Sequence, residues 1–480
     1  MFRHMPSATT TYSYRASSAF DSAVHALALQ TSGGRTPAGA AAHPHFFDGT
    51  LVESQASAAA LLAVADVAAA RYHDPRPAGS ASLDPVVTAG GGWLRFESFS
   101  GCCGVHARLD VPPAGLDGGE VGRGTTNVDV NLPLRDALGR LAGREPLGLT
   151  VGPGELTVRA GGDPIVEKKV PLPDRWIRGF AETPVIVSRF DLRAELPAAE
   201  AVRFLRALPR AGSGNASRGA EWVVAANGRL RTTSRPAPGA VCLPGPQRLT
   251  ALRRVLRHAR GLRLYGPPVT TRSAAQAAAW EVSLPAGLRL TLTLSPETGR
   301  GFSGEGTVLD DLSGPDVEAD AELLSVLLAW DSRIDTAELA AGAGLTVGRT
   351  RAALTRLGVD GRVGYDPAAA AYFHRELPFV PGRTEDHNPR LRAARAILAA
   401  GGVRGLGPGR AEVTTADGHT HRVRGDAGTA GAAFACTCQW WAEHEGRRGP
   451  CSHALAVRIA TDAPGTGAMT PDGPEAVRSR

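Results

Sequence analysis

The alternation of apolar and polar positions divides the chain into a short helical entry, a long strand-rich middle and two mixed segments at the end. Glu53–Tyr72 holds neither Gly nor Pro and is dominated by Ala and Leu, with Leu61, Leu62, Val64 and Val67 near one face. That composition predicts a helix. From Val86 to Leu109 the period drops to two: Trp93, Arg95 and Glu97 alternate with Leu94, Phe96 and Ser98, interrupted by Gly101-Cys102-Cys103-Gly104. Residues 125–132 suggest a further strand and Pro133–Leu141 a short helix. Leu147–Val151 and Glu155–Arg159 flank a Gly-Pro-Gly turn, and Trp222–Ala225 and Leu230–Thr233 flank Asn227-Gly228, a strong hairpin signal. Ile165–Val170, Val185–Leu192, Trp280–Leu284 and Leu288–Leu294 complete the expected strands. Leu172 to Phe180 matches Leu294 to Phe302 at four positions without gaps. The match is either two related β-rich subdomains or a chance coincidence.

Within this middle, Gln247–Leu264 carries Leu249, Leu252 and Leu256 at helical spacing and six arginines without an acid. Arg253, Arg257 and Arg260 lie off the apolar stripe. They form either the solvated face of a packed helix or a cationic strip for phosphates or an acidic partner. Residues 320–380 change character. Ala321–Trp330, Ala337–Ala341 and a third segment capped by Thr346 read as helices, followed by the strand-like Arg362–Tyr365 and Ala371–His374. This order resembles winged helix-turn-helix domains. The resemblance implies that the third helix, here with Arg349, Arg351 and Arg356, is a candidate for nucleic-acid contact. The segment nevertheless has six arginines against eight acidic residues, a net charge of −2, so a packing or protein-interaction role competes with DNA contact.

The densest chemistry lies near the end. Asp417-Gly418 joins two predicted strands, and Cys436-Thr437-Cys438 follows. After twelve residues come Cys451-Ser452-His453 and an apolar helical stretch. In a strand, residues two apart point the same way, so Cys436 and Cys438 can face one ion. Cys451 follows Pro450, where a helix can begin and bring its N–H groups near the thiolate. His453 in the first turn can reach the same ion. Three thiolates and one imidazole close a tetrahedron, with a net charge of about −1 that Arg447 and Arg448 are placed to offset. His444, His419, His421 and the Cys102, Cys103, His106 group lack the paired spacing and read as structural, as does Cys242.

Composition adds constraints. The chain has 480 residues, enough for several domains. Only 5% of residues are aromatic, so cores must rely on Leu, Val and Ala. The net charge of +6 is mild, and all cations except Lys168 and Lys169 are arginine. With 58 Gly and 35 Pro, that excess reads as the codon bias of a GC-rich genome as much as physical selection, so it does not count as evidence of phosphate binding. Six cysteines are too few for a disulfide scaffold. No signal-like apolar core opens the sequence and no run is long enough to span a bilayer, so the expectation is a cytoplasmic protein with reduced thiols and no membrane contact. No phosphate-binding Gly loop, Gly-x-Ser-x-Gly or His-Glu-x-x-His is present, so the expectation is a non-enzymatic protein; an unrecognised site in the β-rich region is the alternative.

Cys-x-Cys, a loop, then Cys-x-His with Trp440, Trp441 and Ala454-Leu455-Ala456 resembles the SWIM-type zinc finger over residues 410–462. The resemblance implies a ββα module holding one structural Zn²⁺, used to contact DNA or proteins, with no catalytic role for the metal. In bacteria it also implies neighbouring MoxR-type AAA ATPases or von Willebrand A proteins as candidate partners. The expected fold class is therefore α+β and multidomain: a disordered arm over 1–45, a helix and β-rich region over 46–310, and a winged-helix-like segment over 320–380. A C-terminal ββα zinc module follows over 391–462, and 463–480 is expected to be a disordered tail. The functional expectation is a protein-interaction adaptor, with direct DNA binding as the alternative.

Overall fold

The computed structural model describes residues 46–462 except 73–84, 120, 128–129, 142–144, 153–154, 161–162, 169–172, 210–220, 300, 303–306, 329–331, 378–388, 408, 426–433 and 447–448, together with five short strands between residues 11 and 41. The expected arm side chains, the tail, and Arg447 and Arg448 lie outside the described residues. The fold is mixed α+β with many antiparallel sheets. It divides into two compact units. The first comprises Met1–Ser303, Leu328–Asp335 and Gly358–Val380. The second comprises Gly304–Leu327, Thr336–Leu357 and Pro381–Arg480.

The first unit is organised on an eight-stranded antiparallel sheet. Its order is Gly124–Asn127, Val86–Gly90, Trp93–Phe99, Val105–Val111, Arg289–Leu294, Ala278–Ser283, Gly261–Gly266 and Asp191–Pro197. The alternation in Trp93–Phe99 sorts side chains to two faces. Leu94, Phe96, Leu109, Leu290, Leu292, Val282 and Leu262 pack on one side with the helix Ser54–Ala69 and the 3₁₀ helix Pro246–His258. Ser54–Ala69 is buried around most of its girth, which its small alanines allow. A five-stranded sheet, Leu116–Gly118, Phe47–Leu51, Leu147–Val151, Glu155–Arg159 and Ile165–Lys168, and a three-stranded sheet built on the Asn227-Gly228 hairpin complete the unit. Asn227 and Gly228 both have positive φ, as that two-residue turn requires.

The other face of the large sheet is charged, and it is buried as well. Register puts Arg95 opposite Asp110, Glu97 opposite Arg108, and Asp110 opposite Arg289. The helix Asp174–Val187 and the hairpin Val363–Asp366 with Ala371–His374 cover this layer, and their side chains complete it. Asp366 receives Arg108 at 3.1 Å and Arg289 at 2.6 and 3.1 Å. Arg375 reaches Glu97 at 3.1 Å and the carbonyls of Phe180 and Val363. Arg95 bonds Asp110 at 3.0 Å with its guanidinium 3.9 Å from the Phe373 ring centroid. A cavity of about 10 Å³, lined by Glu97, His106, Arg108, Thr183, Thr291 and Arg375 among others, has room for one water.

Three sequence expectations need correction. Val185–Leu192 is not a strand: Asp174–Val187 is a helix and the strand is Asp191–Pro197. Trp176 and Phe180, four apart, bury beside Phe99 and set the helical period; a short β-branched run cannot by itself distinguish helix from strand. The predicted helix Gln247–Leu264 ends at His258 as a 3₁₀ helix, and Gly261–Gly266 pairs as a strand with Leu262 and Leu264 inward. The four-position match does not mark repeated structure, because Trp176–Phe180 is helical whereas the second copy leaves a strand at Leu294.

Two outcomes test the ionic layer. Asp366→Asn leaves Arg108 and Arg289 without their shared carboxylate and should lower stability by about 3–5 kcal/mol, read as a fall in the urea midpoint at constant m; an unchanged midpoint would refute the account. Burial alone would raise the Glu97 pKa, but Arg375 and then His106 bring it down to about 2. A carboxylate depressed in the folded state contributes stability that is complete above its unfolded value of about 4.3 and lost as pH falls toward 2. Glu97→Gln should therefore flatten the pH dependence of the urea midpoint across that window.

Candidate metal centre

The second unit holds the Cys/His cluster in a four-stranded antiparallel sheet, Val403–Gly407, Arg410–Thr414, Thr420–Arg424 and Ala435–Cys436, packed with the helices Pro389–Ala399 and Ser452–Asp462. The predicted hairpin about Asp417-Gly418 is present, with Gly418 at positive φ. Leu391, Ala394, Ile397, Ala411, Val413, Val423, Leu455 and Ala456 form the buried side.

Each ligand is placed by a different local device. Cys436 ends the short strand opposite Val423, so its side chain shares the buried face. Cys438 stands at the N-cap of the helix Gln439–His444, where its carbonyl accepts from Ala442 N–H at 3.1 Å. Cys451 precedes the helix Ser452–Asp462. Its carbonyl accepts from Leu455 N–H and its sulfur accepts from Ala454 N–H at 3.4 Å, so the thiol occupies the place of a capping hydroxyl. His453 is in the first turn of that helix, with Nδ1 3.8 Å from Cys436 Sγ.

The four ligand atoms lie within 4.8 Å of one another. Metal–sulfur and metal–nitrogen bonds of about 2.3 and 2.0 Å give tetrahedral edges of roughly 3.5–3.8 Å, and the Cys436–His453 separation already matches. All three thiols are buried. A hydrogen bond from Cys436 holds the Cys451 thiol well below the usual thiol range. The same pairing pushes Cys436 up, and burial raises Cys438. Sulfur atoms this crowded want a shared cation in place of shared protons. The residues are thus positioned to hold one metal ion, and the donor chemistry suits a soft or borderline one.

The sequence did not anticipate two neighbours of this cluster. The His421 ring lies 4.1 Å from that of His453. It sits on the same strand as buried Val423, two residues away, and that alternation was the available signal. Arg390 lies 4.6 Å from the Trp440 ring centroid and donates to the Pro450 carbonyl at 2.8 Å, tying the Pro389–Ala399 helix to the approach to Cys451. No local pattern announces that contact. His444 stacks edge-on against Trp440 instead of joining the ligands.

The candidate arginines are placed elsewhere. In the second unit, the helices Val317–Leu327, Thr336–Ala343 and Val347–Val359 follow the predicted order, and Thr346 caps the third through Arg349 N–H. Arg349 makes a two-point pair with Asp320 at 2.7 and 2.8 Å, and Arg356 meets Glu318 at 3.0 Å. Arg351 is exposed. The hairpin that follows belongs to the first unit. In that unit, Arg253 donates to the carbonyls of Leu205, Arg206 and Leu208, closing the end of the helix Ala198–Ala207. Arg257 bonds His258, and Arg260 is exposed. Arg248 is buried against the carbonyls of Pro244, Gly104 and Ser295, and burial lowers its pKa to about 10. Cys102, Cys103 and His106 form no ligand set among the described residues; the His106 ring faces Glu97 at 3.2 Å.

No protein-family model matches the sequence, and no curated protein matches it. Among solved structures, the chain is similar to the PCNA2–PCNA3 complex of Sulfolobus tokodaii at 8% identity, covering 52% of this chain and 98% of that one with a TM-score of 0.37. It is also similar to Proliferating Cellular Nuclear Antigen from Entamoeba histolytica at 9% identity, covering 52% of this chain and 99% of that one with a TM-score of 0.35. Scores at this level transfer neither fold nor function.

Titration of the metal-free chain with Co²⁺ should saturate at one ion, with the visible bands and thiolate charge-transfer absorption of a tetrahedral site. Cys436→Ser with Cys451→Ser should abolish both signals. Full saturation of the double variant would reject the ligand assignment.

Proposed function

We propose that Cys436, Cys438, Cys451 and His453 hold one structural Zn²⁺ in a SWIM-type module, and that the protein acts as a non-enzymatic interaction adaptor. The observation that carries this reading is the closed donor set: four buried or half-buried ligands converge within 4.8 Å. Three thiolates and an imidazole fill a tetrahedron, leaving no position at which water could be activated. The ion then joins the sheet to the Ser452–Asp462 helix, and its work is mechanical. Reduced thiols fit a cytoplasmic setting, and no helix among the described residues is long and apolar enough to cross a membrane.

The three helices over 317–359 and the hairpin after them keep the order of a winged helix. Two of the three arginines on the third helix are held in ion pairs by acids of the first, which favours a packing or protein-contact role for that helix over reading DNA. By the family resemblance, MoxR-type AAA ATPases and von Willebrand A proteins are the partners to try first.

Zinc analysis of protein purified without added metal should return about one ion per chain. Affinity purification with the wild type and the Cys436→Ser, Cys451→Ser chain should lose one defined partner set in the variant. An identical partner set with and without zinc would overturn the adaptor role of the module.

A further inference from the structure

We propose that Cys102 is a reactive thiolate set against the buried Arg248 guanidinium, and that hydroperoxides oxidise it to a sulfenic acid. The cysteine lies in the turn between the strands Trp93–Phe99 and Val105–Val111. It belongs to the first unit, whereas the metal cluster belongs to the second, so the inference does not rest on the zinc reading.

The starting observation is a cation without a counter-ion. Arg248 is fully buried. It donates to the carbonyls of Pro244 at 2.9 Å and Ser295 at 2.8 Å, to the Ser295 hydroxyl at 2.8 Å, and to the Gly104 carbonyl. All of these acceptors are neutral. No carboxylate meets it among the described residues, and its Nε–H has no acceptor. The other fully buried arginine, Arg375, has Glu97. An unpaired buried charge is expensive, yet with a pKa of about 10 this one persists at neutral pH.

Three titratable groups face Arg248: Cys102, Tyr72 and Cys242. Burial pushes the Cys242 thiol up to about 11 and holds the Tyr72 phenol well above its ordinary value, so both stay neutral. Cys102 is left to supply the negative charge. It is half-buried. Burial opposes its ionisation, but the Ser100 hydroxyl, the backbone of Tyr72 and Gly104, and the Arg248 charge outweigh burial and hold the thiol below its ordinary value. Ser100 Oγ lies 3.4 Å from Cys102 Sγ and accepts from the Val105 N–H at 3.1 Å, which leaves its own proton for the sulfur. The Arg71 side chain lies over Gly101 in the same turn and adds a second positive charge.

The adjacent thiol has opposite surroundings. Cys103 takes a left-handed backbone, with φ of 54°. It is buried, donates its S–H to the Arg175 carbonyl at 3.5 Å, and is pushed up to about 12 by burial. It is therefore a poor partner for closing a disulfide on Cys102. Thiolates attack and thiols do not, and reactive cysteines sit in electropositive, partly exposed places. The Cys102 sulfur attacks the terminal oxygen of a hydroperoxide. An S–O bond forms and the O–O bond breaks. Sulfur gives up two electrons, and the departing hydroxide or alkoxide takes a proton from water. The product is Cys102 sulfenic acid. Arg248 supplies a fixed positive charge while negative charge passes from sulfur to the departing oxygen.

The test uses the full zinc-loaded chain, brief iodoacetamide labelling over a pH series, and peptide mapping by mass spectrometry. Cys102 should label first, with a midpoint below the value of about 8.5 of a free thiol, while Cys103 and Cys242 stay unlabelled. Substoichiometric hydrogen peroxide followed by dimedone should place the adduct on Cys102. Arg248→Gln should raise the labelling midpoint and slow labelling at neutral pH several-fold. The wild-type midpoint needs no variant and decides independently of whether Arg248→Gln folds: a value at or above that of a free thiol would overturn the proposal. So would a dimedone adduct on Cys103 or Cys242 in preference to Cys102, or a Cys102–Cys103 disulfide in its place. An unchanged midpoint in folded Arg248→Gln would overturn the counter-ion role.

Discussion

The first unit depends on one carboxylate that two arginines share. Asp366 stands between Arg108 and Arg289 on a sheet face sealed from water. Burial opposes its ionisation, yet the two guanidinium groups hold its carboxyl well below the usual range. Around it Arg95, Asp110, Glu97 and Arg375 interlock, so the layer behaves as a lattice of charges in which each ion is the solvent of its neighbours. Replacing the whole lattice with hydrocarbon could be nearly neutral, whereas removing one member strands the rest. The layer ties this hairpin to the sheet through named charge pairs, Asp366 with Arg108 and Arg289, and Arg375 with Glu97.

The second unit solves the opposite problem with fewer parts. Its sheet is small and its outer face is wet, so the buried side must be fixed by something other than area. A two-residue strand bearing Cys436 is too short to hold itself against Thr420–Arg424 by two backbone pairs alone. A four-coordinate ion in the proposed site would link that strand to the first turn of the Ser452–Asp462 helix, as metals do in domains whose cores are thin.

What could be read in advance follows from the range of each signal. The ligand set was legible because its spacing is local: two Cys-x-Cys or Cys-x-His pairs carry their own geometry. Asn227-Gly228 and Asp417-Gly418 were legible for the same reason. Val185–Leu192 was misread because a β-branched run suits either helix or strand, and Trp176 and Phe180, which decide it, lie upstream. The charged positions of Trp93–Phe99 looked like the solvent side of a half-buried strand. Their burial depends on Asp366 and Arg375, more than 250 residues away, and no local window contains that information.

The separation of those charges has a consequence for how the protein is made. Glu97 meets Arg375 across 278 residues and Arg108 meets Asp366 across 258. A ribosome delivers the strands of the large sheet long before it delivers the groups that neutralise their inner face. Until residue 375 has emerged, the nascent sheet carries an open ionic surface that favours hydration over closure. Non-local closure of this kind is slow, and here it is also ordered. The second unit's helices over 317–327 and 336–343 leave the exit tunnel before the first unit can finish. The hairpin Val363–Asp366 with Ala371–His374, followed by Arg375, is therefore the last part of the ionic layer that synthesis supplies.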